Sequence, residues 1–410
     1  MVGEWAERKL GEVLTLKRGY DLPKRDRHLG SHPVVSSSGV TGYHSEAKVR
    51  GPGVVTGRYG TLGEVHFVTE DFWPLNTSLY VEDFKGNDPR FVAYLLRGMN
   101  FEAYSDKSSV PGLNRNHLHA ELVMLPLDVE QQRAIASFLG LLDENIDLNR
   151  RIGRALEATA RAIFKAWFID FEPVKAKALG AKSFKGMPQD IFDRLPDRFI
   201  ETEAEPIPKG WEIVSLDQLF ELNPRRTLKK GEVAPYLGMS NVATRGHVPD
   251  AWEERAYGSG MRFKNGDTLL ARITPCLENG KTAFVDFLEP EEIGWGSTEY
   301  IVLRPRPPLP PIYAYCLARS RTFREFAIAN MTGTSGRQRV SASALSHFKT
   351  VRPAKEIAVA FGKFVELFFS LVASHQAESR VLGSTRDTLL PKLISGEIEI
   401  PLEEERENVG

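Results

Sequence analysis

Two hydrophobic patterns alternate along the chain, and each occurs twice. The first is a series of short β-type runs set off by glycine. Residues 53–57, 64–68 and 78–81 carry it early in the chain, and residues 266–270, 282–285 and 300–303 answer later. Runs of four or five such residues between turn formers predict strands. A short helix is predicted over residues 91–100 and again over 312–318, closing each β-rich segment. The second pattern is a seven-residue repeat. No proline stands between Pro126 and Pro173. In that interval Ile135, Leu142, Asn149, Leu156 and Ile163 fit one core position of a heptad, and Phe138, Asn145, Ile152, Thr159 and Ala166 the other. Asp128 or Glu130 suits the first turn of such a helix. Moved by 226 residues, the first set becomes Phe361, Phe368, His375, Leu382 and Leu389, downstream of Pro353. Each heptad pattern predicts a helix of roughly 40 residues, about 60 Å long.

The two halves also match residue by residue. Trp5, Leu10, Val13 and Leu16 are followed 206 residues later by Trp211, Leu216, Leu219 and Leu222. The offset grows to 217 at Phe67-Val68 and Phe284-Val285, to 221 at Tyr94 and Tyr315, and to 227 at Pro126 and Pro353. A steady drift is what insertions in surface loops produce, and it marks an internal duplication. Asn149 and His375 fall on the same heptad near the middle of their helices. A lone polar residue on such a seam fixes register at some cost in stability. Either the two face each other across an antiparallel pair, or each rotates to solvent.

Composition narrows the class. The chain has 410 residues, 42% hydrophobic and 26% charged, which excludes wholesale disorder. No uninterrupted apolar run reaches the ~18 residues of a membrane span, and Met1 to Lys9 lacks a signal-peptide core. Two cysteines, Cys276 and Cys316, are too few for a disulfide framework and read as reduced thiols of a cytoplasmic protein. The net charge of −1 conceals an acidic stretch from Glu397 to Glu407 and basic character elsewhere. A near-neutral total implies that the chain does not hold nucleic acid alone.

Catalytic constellations are missing from the sequence. It has no phosphate-binding glycine loop, no nucleophile elbow, no His-Glu-x-x-His and no methyltransferase Asn/Asp-Pro-Pro-aromatic motif. His117 and His119 stand close, but no carboxylate or cysteine joins them at metal-ligand spacing. Neither catalytic nor metal residues are expected. Basic and amide-rich loops instead recur in both halves: Lys17, Arg18 and Tyr20, Ser37, Arg58 and Tyr59, and Asn114, Arg115 and Asn116 in the first; Arg225 and Arg226, Asn241, Arg272 and Thr274, and Arg337, Gln338 and Arg339 in the second. Arginine suits bidentate contact with guanine, asparagine or glutamine with adenine, and lysine, serine and threonine suit phosphates. Two such readers joined by long helices fit a divided DNA target.

Several segments resemble a known family. They are Trp5 to Leu16; Ile207-Pro208-Lys209-Gly210-Trp211; Gly57-Arg58-Tyr59-Gly60-Thr61-Leu62-Gly63; Ala271 to Lys281; Leu125-Pro126-Leu127 with Glu130 to Ile135; and Leu390 to Ile398. Together they resemble the DNA-specificity subunit of type I restriction–modification enzymes, over nearly the whole chain. Ala354-Lys355-Glu356-Ile357 departs from the Glu-Gln-Gln run of the first copy.

The resemblance implies an α+β fold: two mixed α/β target-recognition domains separated by two long antiparallel helices in a coiled coil, with a pseudo-twofold internal repeat. The expected segments are a first recognition domain (1–127), a long helix (128–171), a linker with one or two short helices (172–208), a second recognition domain (209–353), a second long helix (354–396) and an acidic tail (397–410). It also implies a non-catalytic reader of a bipartite, asymmetric site in double-stranded DNA. The helices would dock two methyltransferase subunits, and restriction subunits would join for cleavage. S-adenosylmethionine, ATP and magnesium are expected on those partners, with no cofactor on this chain and no membrane association. The alternatives are a DNA-free coiled-coil scaffold and a specificity subunit of another restriction class.

Overall fold

A computed structural model describes residues 4–101, 112–203, 205–249, 251–334 and 336–402. Residues 403–410 of the expected acidic tail lie outside the described residues. The chain divides into two compact units, Met1–Asp147 with Glu378–Gly410, and Leu148–Ala377.

The first half runs through β1 (Trp5–Lys9), α1 (Leu10–Val13), β2 (Thr15–Arg18), β3 (His32–Ser36), β4 (Gly39–His44), β5 (Gly53–Gly57), β6 (Val65–Val68), β7 (Trp73–Pro74), β8 (Ser78–Asp83), α2 (Pro89–Arg97), α3 (Arg115–Ala120) and β9 (Leu122–Pro126) into the 40-residue α4 (Val129–Phe168). The chain continues through α5 (Glu172–Ala178), α6 (Gln189–Arg194), β10 (Phe199–Ile200), β11 (Ile207–Pro208), β12 (Glu212–Ser215), α7 (Leu216–Leu219), β13 (Phe220–Leu222), β14 (Val233–Leu237), β15 (Glu253–Ala256), β16 (Met261–Phe263), β17 (Thr268–Ala271), β18 (Thr282–Phe284), β19 (Gly294–Gly296) and β20 (Tyr300–Pro305). It ends through α8 (Pro311–Ala318), α9 (Arg321–Ala329), α10 (Ala342–Ser346) and β21 (Lys349–Arg352) in the 41-residue α11 (Lys355–Ser395).

The duplication is visible in the strand pairing. An antiparallel sheet of order β2-β8-β5-β6 in the first unit has its counterpart in β13-β20-β17-β18 in the second. Each unit adds a small sheet with a parallel pair, β3 with β7 and β14 with β19. Each also pairs its opening strand with the strand before its long helix, β1 with β9 and β12 with β21. The central strands are apolar and buried along their length, as in Gly53–Gly57 and Thr268–Ala271. Helix α2 starts where Asp88 accepts a hydrogen bond from the Phe91 backbone N–H at 2.8 Å, with Pro89 in its first turn.

The long helices bury a stripe that differs from the heptad reading. Ile135 and Asn149 are buried and Leu142, Leu156 and Ile163 are half-buried. The second core position shifts by one residue, to Leu139, Ile146, Gly153, Ala160 and Trp167, while Phe138, Asn145 and Thr159 are exposed. The buried set keeps the seven-residue spacing, so the heptad reading has the right period and its second position is out of phase by one residue along the whole helix. In the second unit the helices run antiparallel: Phe164 packs on Phe361 with ring centroids 5.7 Å apart, while a Cβ at Gly153 would meet Val372 at 3.4 Å.

Residues 172–208 are more than a linker. Phe171, Val174, Met187, Phe192, Leu195 and Ile207 enter the core of the second unit with Phe164, Trp167 and Trp211. Their anchors are scattered among charged residues, which hid them from a compositional reading. Helix α11 contains an 18-residue stretch of mean hydropathy 1.8 that could cross a membrane by length and composition alone. In sequence Lys363 and Glu366 interrupt its apolar run, and Ile357, Ala358, Phe361, Val365 and Phe369 pack into the core of the second unit.

Candidate nucleic-acid interface

One loop follows the central strand of each main sheet, and the backbone holds both loops in the same way. After β5, the Arg58 N–H donates to the Thr77 carbonyl at 2.9 Å, and the Arg58 carbonyl accepts from the Leu113 N–H at 3.0 Å. After β17, the Arg272 N–H donates to the Glu299 carbonyl at 3.0 Å, and the Arg272 carbonyl accepts from the Val340 N–H at 2.9 Å. Isolated bridges join Tyr59 to Gly112 and Ile273 to Arg339. The sequence segments 112–116 and 337–339 are thereby brought beside the Arg58 and Arg272 loops.

In the first unit the interface gathers most of the residues named from sequence. Arg18 ends β2, which pairs with β8 at Leu79, and Leu79 pairs with Thr56 at the end of β5. The Ser37 carbonyl lies 3.3 Å from His66 Nε2, and a Cβ at Gly60 would meet Ser37 Oγ at 3.5 Å, so the β3–β4 turn flanks the Arg58 loop. Gly60 and Gly63 both adopt φ of 83°, a turn that favours glycine. The Arg58 guanidinium stacks 4.6 Å from the Tyr59 ring. Asn114 caps α3 through the Asn116 N–H, leaving Arg115 and Asn116 exposed. Lys17 pairs with Glu82 at 2.5 Å, and the Tyr20 and Tyr80 hydroxyls lie 3.0 Å apart. His119 holds this corner together, its Nε2 accepting from the Leu16 N–H at 2.9 Å. Burial, with Arg115 and Lys85 nearby, lowers its pKa.

The second unit agrees in part. Thr274 and Gln338 exchange hydrogen bonds, each 3.1 Å, beside Arg272. Lys281 Nζ donates to the Met239 carbonyl at 2.7 Å, pinning the turn that carries Asn241 to the strand next to that loop. Arg337 is exposed, whereas Arg339 forms a two-pronged bond to Glu299 at 2.7 and 3.0 Å. Arg226 corrects the sequence reading. Its side chain is only 7% exposed and pairs at 2.7 Å with the fully buried Asp267, which Arg304 also meets at 2.7 Å. Asp267 precedes β17 while Arg272 follows it, so Arg226 is spent inside the domain at the far end of that strand; its neighbour Arg225 is exposed.

Sequence reasoning missed the polar anchor between each recognition module and the long helices. In the first unit Asp143 on α4 accepts from the Tyr94 hydroxyl at 2.7 Å, from Arg97 at 2.7 Å and from Arg386 on α11 at 2.5 Å. Burial alone would raise the Asp143 pKa; bonds from Tyr94, Arg386 and Arg97 hold it below the usual carboxylate value. In the second unit the Tyr315 hydroxyl donates to Glu157 on α4 at 2.7 Å. His247 lies 3.4 Å from both Glu157 and Asp286. Burial disfavours its charge, but the two carboxylates prevail and raise its pKa. Tyr94 and Tyr315 were visible only as landmarks of the repeat. Both acidic partners lie on α4 instead of one on each long helix, so the offset of the duplication does not link Asp143 to Glu157.

Apolar side chains remain exposed on the long helices of both units. Leu141 is 56% exposed, and Leu367, its counterpart 226 residues on, is 61% exposed. Phe138 and Val381 in the first unit, and Leu148 and Leu371 in the second, are exposed as well. Among the described residues no group of three or more His, Cys, Asp and Glu is placed to hold a metal ion.

Comparisons with known proteins agree with this arrangement. Residues 3–158 match the family model described as the type I restriction modification DNA specificity domain. The chain is 24% identical over 326 residues to the HindI specificity subunit of Haemophilus influenzae, covering 66% of this chain and 68% of that protein. It is 23% identical over 324 residues to the MjaIX specificity subunit of Methanocaldococcus jannaschii, covering 76% and 69%. The fold is similar to the type I S subunit of M. genitalium, with a TM-score of 0.55 at 16% identity, covering 95% of this chain and 96% of that one.

Proposed function

We propose that the chain, which is similar to the type I restriction–modification specificity subunits, is a DNA-recognition subunit that does no catalysis itself and reads a two-part, asymmetric DNA target, one part with each duplicated loop cluster. The observation that carries this reading is the matched loop geometry: the Arg58 and Arg272 carbonyls accept equivalent backbone bonds, from Leu113 and Val340. Family-model coverage stops at residue 158, but the same strand order and loop bonding continue in the second copy. Two similar but non-identical readers suit an asymmetric site whose halves differ.

The long helices dock two methyltransferase subunits. The equivalent exposed leucines, Leu141 and Leu367, give two like partners two like surfaces. Those partners carry S-adenosylmethionine, and restriction subunits carry ATP and magnesium; this chain binds none of them. Asn149 and His375 meet across the helix pair and fix its register. The test is a titration of duplex DNA with the chain co-assembled with its methyltransferase subunits. Specific binding that depends on both half-sites supports the reading; equal binding to all duplexes overturns it.

A further inference from the structure

An open cleft of about 580 Å3 in the second unit lies between the C-terminal half of α4 and helices α8 and α9. Arg161, Lys165, Arg319, Arg321 and Arg324 line it, with Glu325 the one carboxylate among the described lining residues. Three of these cations have acidic partners: Arg161 with Glu157 at 3.7 Å, Arg321 with Glu325 at 2.7 Å, and Lys165 with Asp170. Among the described residues no carboxylate stands within ion-pair distance of Arg319 or Arg324. Arg319 is only 7% exposed; it donates to the carbonyls of Thr244 at 2.8 Å, Thr282 at 3.0 Å and Gly246, and its Nε is buried without a partner. Arg324 donates to the Glu278 carbonyl at 2.8 Å, and its Nε too is unpartnered. Burial, and after it the charges of Arg319 and Arg161, lower the Arg324 pKa.

The positive end of α9 adds to this field, since Ser320, Arg321 and Thr322 open that helix on the cleft wall. Apolar Phe164, Ile169 and Ile328 complete the lining. Such a lining suits the sugar faces that flank a phosphodiester better than a bare multivalent anion. The cleft is also tied to a recognition loop. Arg324 holds Glu278 and lies against Gly280, in the segment that Arg272 begins.

We propose that this cleft is a phosphodiester site: it takes a backbone phosphate of the same DNA duplex whose bases the Arg272 and Arg337 loops read, and anchors the second unit without reading sequence. The inference rests on the DNA-recognition reading above. The test uses the full chain assembled with its methyltransferase subunits and follows duplex binding by anisotropy over a salt series, for wild type, Arg324→Ala, Arg324→Lys and Arg321→Ala. Arg321 is 88% exposed, so its loss leaves the fold intact. Each alanine variant should weaken target and scrambled duplexes by the same factor and make the log–log salt slope shallower by about one. Arg324→Lys should retain the wild-type slope.

Unchanged slopes in both alanine variants, with wild-type DNA binding intact, overturn the phosphate site alone. Absence of wild-type DNA binding overturns the recognition reading and this site with it. Inorganic phosphate distinguishes a free anion: stabilisation of wild type but not of Arg324→Ala, with unchanged DNA slopes, would refute the DNA source. Loss of methyltransferase subunits from the Arg324→Ala assembly, again with unchanged slopes, would make the cleft a protein-docking site instead.

Discussion

Gly57 is where a single added methyl group should separate the two readers. It ends β5 immediately before the Arg58 loop, and a Cβ there would overlap the Thr61 carbonyl oxygen, well inside the 3.0 Å limit that real Cβ atoms respect. The Ser37 Cβ would stand at 3.2 Å on another side. Because the obstacle is backbone, the loop must move, by roughly 1 Å or more, beyond the ~0.5 Å tolerance of a positioned contact. Gly57→Ala should therefore cost the first reader its base contacts while leaving the second, where Ala271 already occupies the equivalent place, unaffected. A good bidentate contact contributes about 1–3 kcal/mol of discrimination, roughly five- to 150-fold. Competition titrations with duplexes altered in one half-site at a time measure this directly. Discrimination should fall by that factor in one half-site and persist in the other. Wild-type discrimination in both halves, or equal loss in both, would refute the reasoning.

Three further outcomes are expected. Arg226→Ala should destabilise the second unit by about 1–3 kcal/mol in urea unfolding, because fully buried Asp267 loses one of its two arginine partners and keeps Arg304; a stable variant with a selective loss of DNA affinity would return Arg226 to the interface. Leu141→Asp and Leu367→Asp should each remove one methyltransferase subunit from the assembly by light scattering, with the fold intact because both positions are exposed. The cluster of His247 with Glu157, Asp286, Tyr315 and Arg319 should make stability pH-dependent. The folded His247 pKa is raised, so its contribution is fully present below the unfolded value of about 6.5 and is lost as pH rises through the folded value. Urea midpoints of wild type should fall over that window, and His247→Gln should flatten the profile; parallel profiles would contradict it.

Much of the architecture was legible because duplication multiplies weak signals. The landmark pairs Leu10/Leu216 and Tyr94/Tyr315 fall on equivalent elements, α1 with α7 and α2 with α8. A proline-free interval located α4, and its heptad set moved by 226 residues located α11, which carries Pro391 near its end. The face those helices bury was less legible, since a one-residue error of phase moves Phe138 to the core and Leu139 to solvent, opposite to what the packing requires. Loop residues were legible as a group and not one by one. Arg225 and Arg226 look alike in sequence, but only the second finds Asp267, which lies 41 residues away and meets it through the tertiary fold. The Asp143 and Glu157 anchors were hidden for the same reason: a carboxylate on a helix shows its partner only once the neighbouring module is packed against it.

The central claim, one chain carrying two separate readers, is tested most directly by varying the spacing between half-sites. The chain assembled with its methyltransferase subunits would be titrated with duplexes that hold both half-sites constant and lengthen the gap one base pair at a time. The account predicts tight binding at one gap length and a steep loss on either side, with each half-site still required. Affinity that ignores the gap, or that survives deletion of either half-site, would contradict it.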